Sequence, residues 1–152
     1  MSELTGTAAW SDDNGVLPGG CRLIPLMVRG DERGLLMPFE GERNVPFAIA
    51  RVYTVFGTLP GVRRGFHAHR RLQQAAVVVA GACTMLLDDG REQRRIRLDR
   101  PEVLLTLPPM VWHEMEDFTP DCVLMVLADA PYSEADYIRD HGEFLRLAGE
   151  KA

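Results

Sequence analysis

RGFHAHRRLQQ, residues 64–74, is the stretch that decides the fold of this 152-residue chain. His67 and His69 are two residues apart, so both imidazoles leave the same face of a β-strand. Glycines stand on either side of the pair, with Gly61 six residues before His67 and Gly81 twelve residues after His69. This spacing predicts glycine-bounded strands that direct two imidazoles into one pocket.

A second histidine motif follows at residues 108–113, PPMVWH. The two segments resemble the paired motifs of the cupins, which are a glycine, a His-x-His pair, an acidic ligand and a closing glycine, followed by a proline, a glycine and a histidine. Gln74 stands in place of the acidic ligand, and Met110 in place of the second-motif glycine. Three of the four histidines fall on motif positions: His67, His69 and His113. They are therefore expected to share a pocket.

The composition indicates an ordinary globular protein, with 46% hydrophobic and 26% charged residues. No apolar run approaches the roughly 18 residues of a membrane helix, and the N-terminus lacks the pattern of a signal peptide. The three cysteines lie in apolar runs and are predicted to be buried free thiols: Cys21, Cys83 and Cys122. We therefore expect a cytoplasmic protein with no membrane partner.

Charge argues against nucleic acid as a partner, since the formal net charge is −5. Positive charge is nevertheless dense around the histidine pair, at Arg63, Arg64, Arg70 and Arg71. Arginines in a loop are most often simply solvated, but the planar guanidinium group also pairs well with phosphate oxygens. This cluster favours an anionic small-molecule ligand next to the histidines.

Short apolar segments alternate with turn signals along most of the chain. Besides the histidine stretch, the predicted strands cover residues 21–28, 35–39, 47–56, 75–80, 82–87, 93–98, 103–107, 111–118 and 122–128. Asp88-Asp89-Gly90-Arg91 is a hairpin signal, because Asp-Gly accepts the positive φ of a tight turn. Many short strands at this spacing predict an all-β fold, a cupin-type jelly-roll β-barrel with a short C-terminal helix.

The two ends of the chain are predicted to differ from the barrel. Residues 1–20 are small, polar and glycine-rich, which indicates a loose N-terminal arm ahead of a single cupin domain at 21–152. Ser133 and Asp136 resemble a capping box, and apolar residues recur at helical spacing from Tyr137 onwards. His141 is expected to lie in this C-terminal helix and to have no chemical role.

The histidine pocket suggests acid–base chemistry. Two imidazoles on one strand face, with pKa values near neutral, can remove one proton and deliver another. Flanking arginines can hold a phosphorylated group while the histidines act on the part that is held deeper. Such a layout favours proton abstraction next to the carbonyl of a nucleotide-linked sugar. Trp112 is by its type most often a core residue, but an indole beside a pocket can also carry a sugar or base on its face.

Several segments in the same order extend the resemblance to one family. Residues 64–69, 86–90, 109–115 and 132–140 resemble the dTDP-sugar 3,4-ketoisomerases, which are cupins of bacterial deoxyamino-sugar biosynthesis. Residues 44–53 are similar to a strand of the same enzymes, and the resemblance covers roughly residues 22–145. It implies an isomerase that moves the carbonyl of dTDP-4-keto-6-deoxy-D-glucose from C-4 to C-3 through an enediol.

The resemblance also implies the site residues. His67 and His69 become the acid–base pair, one taking the C-3 proton and the other reprotonating C-4, in an order that the sequence leaves open. The expected substrate contacts are Arg51, Tyr53, Arg64, Gln74, Trp112 and His113. Arg64 is assigned to the diphosphate, and the family typically works as a dimer without metal or other cofactor.

Two other classes of function remain open on the residues alone. The first is a metal-dependent oxygenase with three histidine ligands, His67, His69 and His113; the second is a non-catalytic module that binds a sugar nucleotide. Neutral Gln74 and the nearby arginines disfavour a cation, so we expect no metal. We also expect a homodimer, because the apolar segments at 21–28 and 35–39 leave a sheet edge that a second subunit can cover.

Overall fold

The computed structural model describes residues 2–3 and 17–150. Over these residues the strands are β1 (Ser2–Glu3), β2 (Leu23–Pro25), β3 (Arg29–Asp31), β4 (Gly34–Leu36), β5 (Arg51–Phe56), β6 (Arg64–His69), β7 (Gln74–Ala80), β8 (Cys83–Asp88), β9 (Gln93–Leu98), β10 (Val103–Leu107), β11 (Trp112–Glu116), β12 (Val123–Ala128) and β13 (Tyr137–Ile138). One α-helix follows, α1 (His141–Glu150), and two short 3₁₀ turns lie at Pro18–Gly20 and Glu134–Asp136. The predicted all-β class with a short C-terminal helix is confirmed.

Two five-stranded antiparallel sheets hold the main core between them. Their strand orders are β2-β10-β7-β12-β5 and β13-β6-β11-β8-β9, and the small sheet β1-β3-β4 stands apart. Fully buried side chains such as Leu87, Leu105 and Leu124 fill the space between the two large sheets. This is a jelly-roll arrangement, as predicted, although the hydrogen-bonded ladders of the described strands do not join into a closed barrel.

Strand β7 is buried on both faces over residues 74–78, as its apolar run predicts, and its last two residues are exposed. Val78 packs into the core between the sheets, whereas Val77 belongs to a second cluster on the outer face of the same sheet. That outer cluster includes Val45 and Phe47, from the segment that precedes β5. The centre of this sheet is therefore shielded from water on both sides.

The hairpin between β8 and β9 forms where the sequence predicts it. Gly90 has a φ of +92°, a conformation that favours glycine. Its amide donates to Asp88 Oδ1 at 2.7 Å, and the amide of Arg91 donates to Asp89 Oδ1 at 2.8 Å. All six residues of β8 pair in register with β9.

The N-terminal prediction needs correction at residues 17–20. Leu17 joins the main core and Pro18 is buried, so this end of the predicted loose arm packs on the sandwich. The amide of Gly19 donates to Asp89 Oδ2 at 3.0 Å, which fastens the segment to the hairpin. Ser2–Glu3 pair with β3, and residues 4–16 lie outside the described residues. The three cysteines are buried and free, as predicted.

The C-terminal helix begins at His141, seven residues later than a cap at Ser133 predicts. Ser133 makes no side-chain cap, and the carboxylate of Asp136 binds His69 instead of a helix terminus. Asp140 is the real cap, since its Oδ2 accepts the amide of Glu143 at 2.9 Å. Tyr137 and its neighbour are extended as β13 because they pair with β6. In the part of the chain that is described, no helix is long and apolar enough to cross a membrane.

Candidate active site

The histidines are brought together by the pairing of β6 with β11. His67 lies directly opposite His113, and the register shifts at the next residue of β11. Gly65 has a φ of +91°, and a side chain there would place its Cβ 2.8 Å from the carbonyl oxygen of His113. Only glycine allows the two strands to approach so closely, which explains the glycine two residues before His67.

The three motif histidines form one cluster at the inner face of this sheet. The ring centroid of His67 lies 4.9 Å from that of His69 and 4.5 Å from that of His113. All three side chains are at most 9% exposed. Tyr137 completes the cluster, with its ring centroid 4.8 Å from His67 and 4.4 Å from His69.

Hydrogen bonds at Nδ1 fix the tautomer of each histidine. His67 Nδ1 contacts the carbonyl oxygen of Gly65 at 3.0 Å, and His113 Nδ1 contacts that of Val111 at 3.2 Å. His69 Nδ1 lies 3.1 Å from Asp136 Oδ2. Carbonyl and carboxylate oxygens only accept, so each Nδ1 carries the proton and each Nε2 carries a lone pair. The Nε2 atoms of His67 and His69 are buried and have no hydrogen-bond partner among the described residues.

Burial keeps these imidazoles neutral. It lowers the pKa of His69 to about 4 and that of His113 to about 3, with the neighbouring histidines adding to the effect. Burial also lowers the pKa of His67, and the positive charge of Arg139 acts in the same direction. Near neutral pH the unpartnered Nε2 atoms are therefore free to accept a proton.

The opposite sheet contributes a polar trio from β5 and β7. Gln74 Nε2 donates to Tyr53 Oη at 3.2 Å, and the guanidinium of Arg51 lies 4.8 Å from the Tyr53 ring centroid. Burial raises the pKa of the Tyr53 phenol, and the positive charges of Arg51 and Arg64 only partly offset this. Tyr53 thus stays a neutral hydroxyl that can donate or accept a hydrogen bond.

A cavity of about 280 Å³ opens beside His69. The segment 129–137 forms one wall, with Tyr132, Asp136 and Tyr137, while Arg51 and Arg71 place two cations on the lining. The cavity brings His69 together with these two cations, as the sequence predicts for an anionic substrate, although the carboxylates of Asp129 and Asp136 also lie on its lining.

Two predicted site residues lie elsewhere. Trp112 points away from the cluster and packs with His141 and Phe144 under α1, where it is 3% exposed. It precedes His113 on β11, so strand alternation places it on the other face of the sheet. Arg64 is exposed at the start of β6 and is not part of the cavity wall, although its charge acts on Tyr53.

Three residues that the sequence did not single out as site residues belong to this region: Asp136, Tyr137 and Arg139. Arg139 lies 4.2 Å over the Tyr137 ring and forms a two-bond ion pair with Glu134. The sequence placed this segment in a helix because its apolar spacing fits a helix and its pairing partner is almost 70 residues away. Extended pairing of Tyr137 with His69 is a tertiary contact that no local pattern reveals.

The cluster can serve either acid–base or metal chemistry. One ring nitrogen from each of the three histidines lies within 4.8 Å of the others. Histidines that bind metal usually donate their other ring N–H to an oxygen acceptor, as these three do. The donor set fits a zinc or iron ion in type, but Gln74, which stands in the sequence at the place of the acidic ligand of the cupin motif, adds no negative charge. The three histidines would hold such an ion, which would supply a Lewis acid.

Comparison with known proteins identifies the family. The sequence model of the family described as "FdtA: WxcM-like, C-terminal" matches residues 19–149. The TDP-4-oxo-6-deoxy-alpha-D-glucose-3,4-oxoisomerase of Aneurinibacillus thermoaerophilus is 50% identical over 114 residues, which are 75% of this chain and 82% of that protein.

Solved structures agree with this relationship. The sugar 3,4-ketoisomerase QdtA from Thermoanaerobacterium thermosaccharolyticum, in complex with TDP, matches with a TM-score of 0.84 and 37% identity over 86% of this chain and 96% of that chain. The TDP-quinovose 3,4-ketoisomerase WlaRB from Campylobacter jejuni matches with a TM-score of 0.81 and 40% identity over 84% of this chain and 98% of that chain. The chain therefore belongs to the FdtA family of sugar 3,4-ketoisomerases, and it is an isomerase with their jelly-roll fold.

Proposed function

We propose that this isomerase converts dTDP-4-keto-6-deoxy-D-glucose into its 3-keto isomer. The observation that carries the proposal is the pair of buried, unpartnered Nε2 atoms on His67 and His69, next to a cavity that His69 lines together with Arg51 and Arg71. A QdtA variant with an asparagine in place of one histidine has been solved with TDP-4-keto-6-deoxyglucose. The name of the 50% identical relative specifies the same 4-keto sugar.

The two histidines supply both proton transfers. One neutral Nε2 removes the proton from C-3, the electrons of that C–H bond form the C-3–C-4 double bond, and the C-4 oxygen takes up the proton of the neighbouring C-3 hydroxyl. The C-3 oxygen of the resulting enediol then forms the carbonyl, and C-4 takes a proton from the histidine pair, which is cationic by the one proton removed from C-3. The formula is unchanged, and no external oxidant is needed. A positioned acid or base typically contributes about 10²–10⁴ in rate.

The cavity suggests how the substrate is held. Its volume of about 280 Å³ is at the small end for a ligand pocket, so we place the keto sugar inside and the nucleotide towards the rim. Arg51 and Arg71 line the cavity and are proposed to hold the diphosphate, together with Arg64, which is exposed outside the cavity wall. Tyr53 and Gln74 are proposed to hydrogen-bond the sugar hydroxyls, and His113 to form the floor.

The direct test is incubation with the 4-keto sugar nucleotide in D₂O, followed by NMR. We expect a 3-keto product that carries solvent deuterium at C-4. A non-catalytic binding module would bind the nucleotide and leave the C-3 hydrogen unexchanged, and that result would contradict the proposal.

A metal-dependent oxygenase is the second candidate, since three ring nitrogens lie within 4.8 Å of one another. It predicts consumption of dioxygen by the metal-loaded protein. The isomerase predicts the same turnover with and without dioxygen, so an oxygen electrode run beside the NMR assay separates the two.

We further propose a cytoplasmic homodimer. Leu35 and Leu36 on the small sheet and Phe56 on the edge strand β5 are between 50% and 72% exposed. Apolar side chains at sheet edges are commonly covered by a partner. The three buried free cysteines support a reducing compartment. Light scattering at micromolar concentration should give twice the 17.0 kDa of one chain, and the mass of a single chain would contradict the dimer.

A further inference from the structure

The aspartate at position 136 makes more contacts than any cap of the short 3₁₀ turn requires. Its Oδ2 lies 3.1 Å from His69 Nδ1 and accepts the amide of Leu72 at 3.2 Å. Its Oδ1 accepts the amide of Arg71 at 2.9 Å. One side chain from the cavity wall thus holds both a cluster histidine and the backbone that carries a cavity arginine.

We propose that Asp136 is the positioning residue of the active site, holding His69 in the tautomer that leaves Nε2 free and fixing the turn that presents Arg71. This rests on the proposed isomerase function and extends it to a residue outside both histidine motifs. Asp136 lies on the cavity wall, but both of its oxygens are engaged by N–H groups of the protein, so its proposed role is exerted on those groups and not on the reacting atoms. It acts through His69 and through the backbone of residues 71–72.

The contrast with the other cluster histidines supports this role. His67 and His113 direct Nδ1 at neutral backbone carbonyls, whereas His69 directs Nδ1 at a carboxylate. A carboxylate partner stabilises the imidazolium that forms when Nε2 takes up a proton. It serves equally if His69 is the group that returns the proton, because the same cation is then the starting state.

The second part of the role follows from the turn between β6 and β7. Asp136 accepts the amides of Arg71 and Leu72, and Asp129 accepts the amide of Gln73 at 3.0 Å. The two aspartates fasten the cavity wall 129–137 to this turn at three consecutive amides. The position of Arg71 on the cavity lining therefore depends on Asp136 as well.

The substitution Asp136→Asn separates the contact with His69 from the contact with the amide of Arg71. An amide has one acceptor oxygen, which cannot serve the N–H groups of His69, Arg71 and Leu72 at once. With its oxygen on Arg71, the amide NH₂ faces His69 Nδ1, which must then accept while its proton moves to Nε2. Asp136→Asn thus keeps the Arg71 contact and removes the tautomer control, the charge and the contact with the Leu72 amide. Asp136→Ala removes all three contacts.

The first measurement is ¹H–¹⁵N correlation NMR of histidine-labelled, ligand-free protein, which needs no substrate. We expect the single Nδ1–H tautomer of His69 in the wild type and the loss of that single state in Asp136→Asn. Asp129→Asn is the matched control, because Asp129 caps the same turn and has no histidine contact among the described residues. It should leave the His69 tautomer unchanged.

The second measurement is steady-state kinetics with the 4-keto sugar nucleotide. Removing a residue that orients a functional histidine typically costs about 10- to 100-fold, so Asp136→Asn should lower kcat by that factor with KM little changed. Asp136→Ala should raise KM as well. A His69 tautomer that stays Nδ1–H in Asp136→Asn, or a kcat within about three-fold of wild type, overturns the proposal. A wild-type protein that does not isomerise the sugar contradicts the proposed function, and the NMR result still decides the role of Asp136.

Discussion

The sheet that carries β6 and β11 has a histidine–aspartate pair on each of its two faces, and the two pairs lie in different surroundings. On the inner face, His69 pairs with Asp136 at 3.1 Å and is 3% exposed. On the outer face, His141 Nε2 pairs with Asp88 Oδ2 at 2.9 Å, but the His141 side chain is 42% exposed. A histidine–carboxylate pair is therefore not a functional site by itself.

The surroundings make the difference. His69 has two further imidazoles beside it and lines a cavity, and its Nε2 is buried without a hydrogen-bond partner among the described residues. His141 packs its ring against Trp112 at a centroid distance of 4.9 Å and reaches across to the β8–β9 hairpin. We propose that the inner pair serves proton transfer, whereas the outer pair fastens α1 to the sheet.

The largest expected effect is the loss of turnover when a histidine of the inner face is replaced by asparagine. His69→Asn and His67→Asn should each lower kcat by about two orders of magnitude or more, because each removes a positioned acid or base. Both variants should stay folded, since asparagine is smaller than histidine and fits in the same space. Turnover of the 4-keto sugar nucleotide, with circular dichroism as the folding check, measures this.

His141→Asn is the matched variant on the outer face. Activity should stay within about two-fold of wild type, and the free energy of unfolding should fall by about 1 kcal/mol, the usual net worth of a hydrogen bond. Near-normal turnover in either inner variant, or a large loss of turnover in His141→Asn, would contradict the proposal that only the inner-face histidines take part in the reaction.

Arginines extend the comparison to substrate binding. Arg71 lines the cavity, whereas Arg63 forms ion pairs on the outer face with Glu114 and Glu116. A diphosphate contact is the same in the ground and transition states, so Arg71→Ala should raise KM by about ten-fold with little change in kcat.

Arg63→Ala is the outer-face control and should leave KM unchanged. Arg64→Ala should fall between the two, since Arg64 lies near Tyr53 but outside the cavity wall. Equal KM values for the Arg71 and Arg63 variants would contradict the proposal that Arg71 binds the substrate.

We expect acid to lower the stability of the protein, because the inner-face histidines are held neutral in the folded state. Burial holds the pKa of His69 at about 4 and that of His113 at about 3, below the ordinary value of about 6.5. Between these values the unfolded state binds more protons than the folded state, so the free energy of unfolding falls as the pH drops below about 6.5. Urea unfolding at a series of pH values from 7 to 5 measures the slope. The slope should be shallower in His113→Gln, and an unchanged slope would show that His113 is not held neutral by the fold.

The sequence predicted the strands and the histidine cluster because both follow from local patterns. Residues Gln93–Leu98 and Val103–Leu107 match their predicted ranges, since alternation and turn signals bound them closely. His67 and His113 meet because their motifs lie on paired strands. Trp112 was placed among the substrate contacts, yet it sits one residue from His113 and so on the opposite face. Asp136 and Tyr137 were assigned to a helix, because their partner on β6 is distant in the chain and local spacing cannot show it.

The smallest expected effect is that of chelation, which should change nothing. The three inner histidines offer ring nitrogens within 4.8 Å of one another, so metal binding is the main alternative to proton transfer at this cluster. A bound cation would occupy the Nε2 lone pairs that the isomerisation uses, and Gln74 provides no anionic ligand to strengthen its binding. The C-4 carbonyl already acidifies the C-3 hydrogen, and the histidines can supply both transfers. Wild-type turnover should therefore be the same before and after EDTA treatment, and elemental analysis should find no stoichiometric zinc or iron in active protein. Activity that is lost on chelation and restored by one metal would contradict this prediction. The inner histidines would then be metal ligands, and the two faces would differ in metal binding and not in proton transfer.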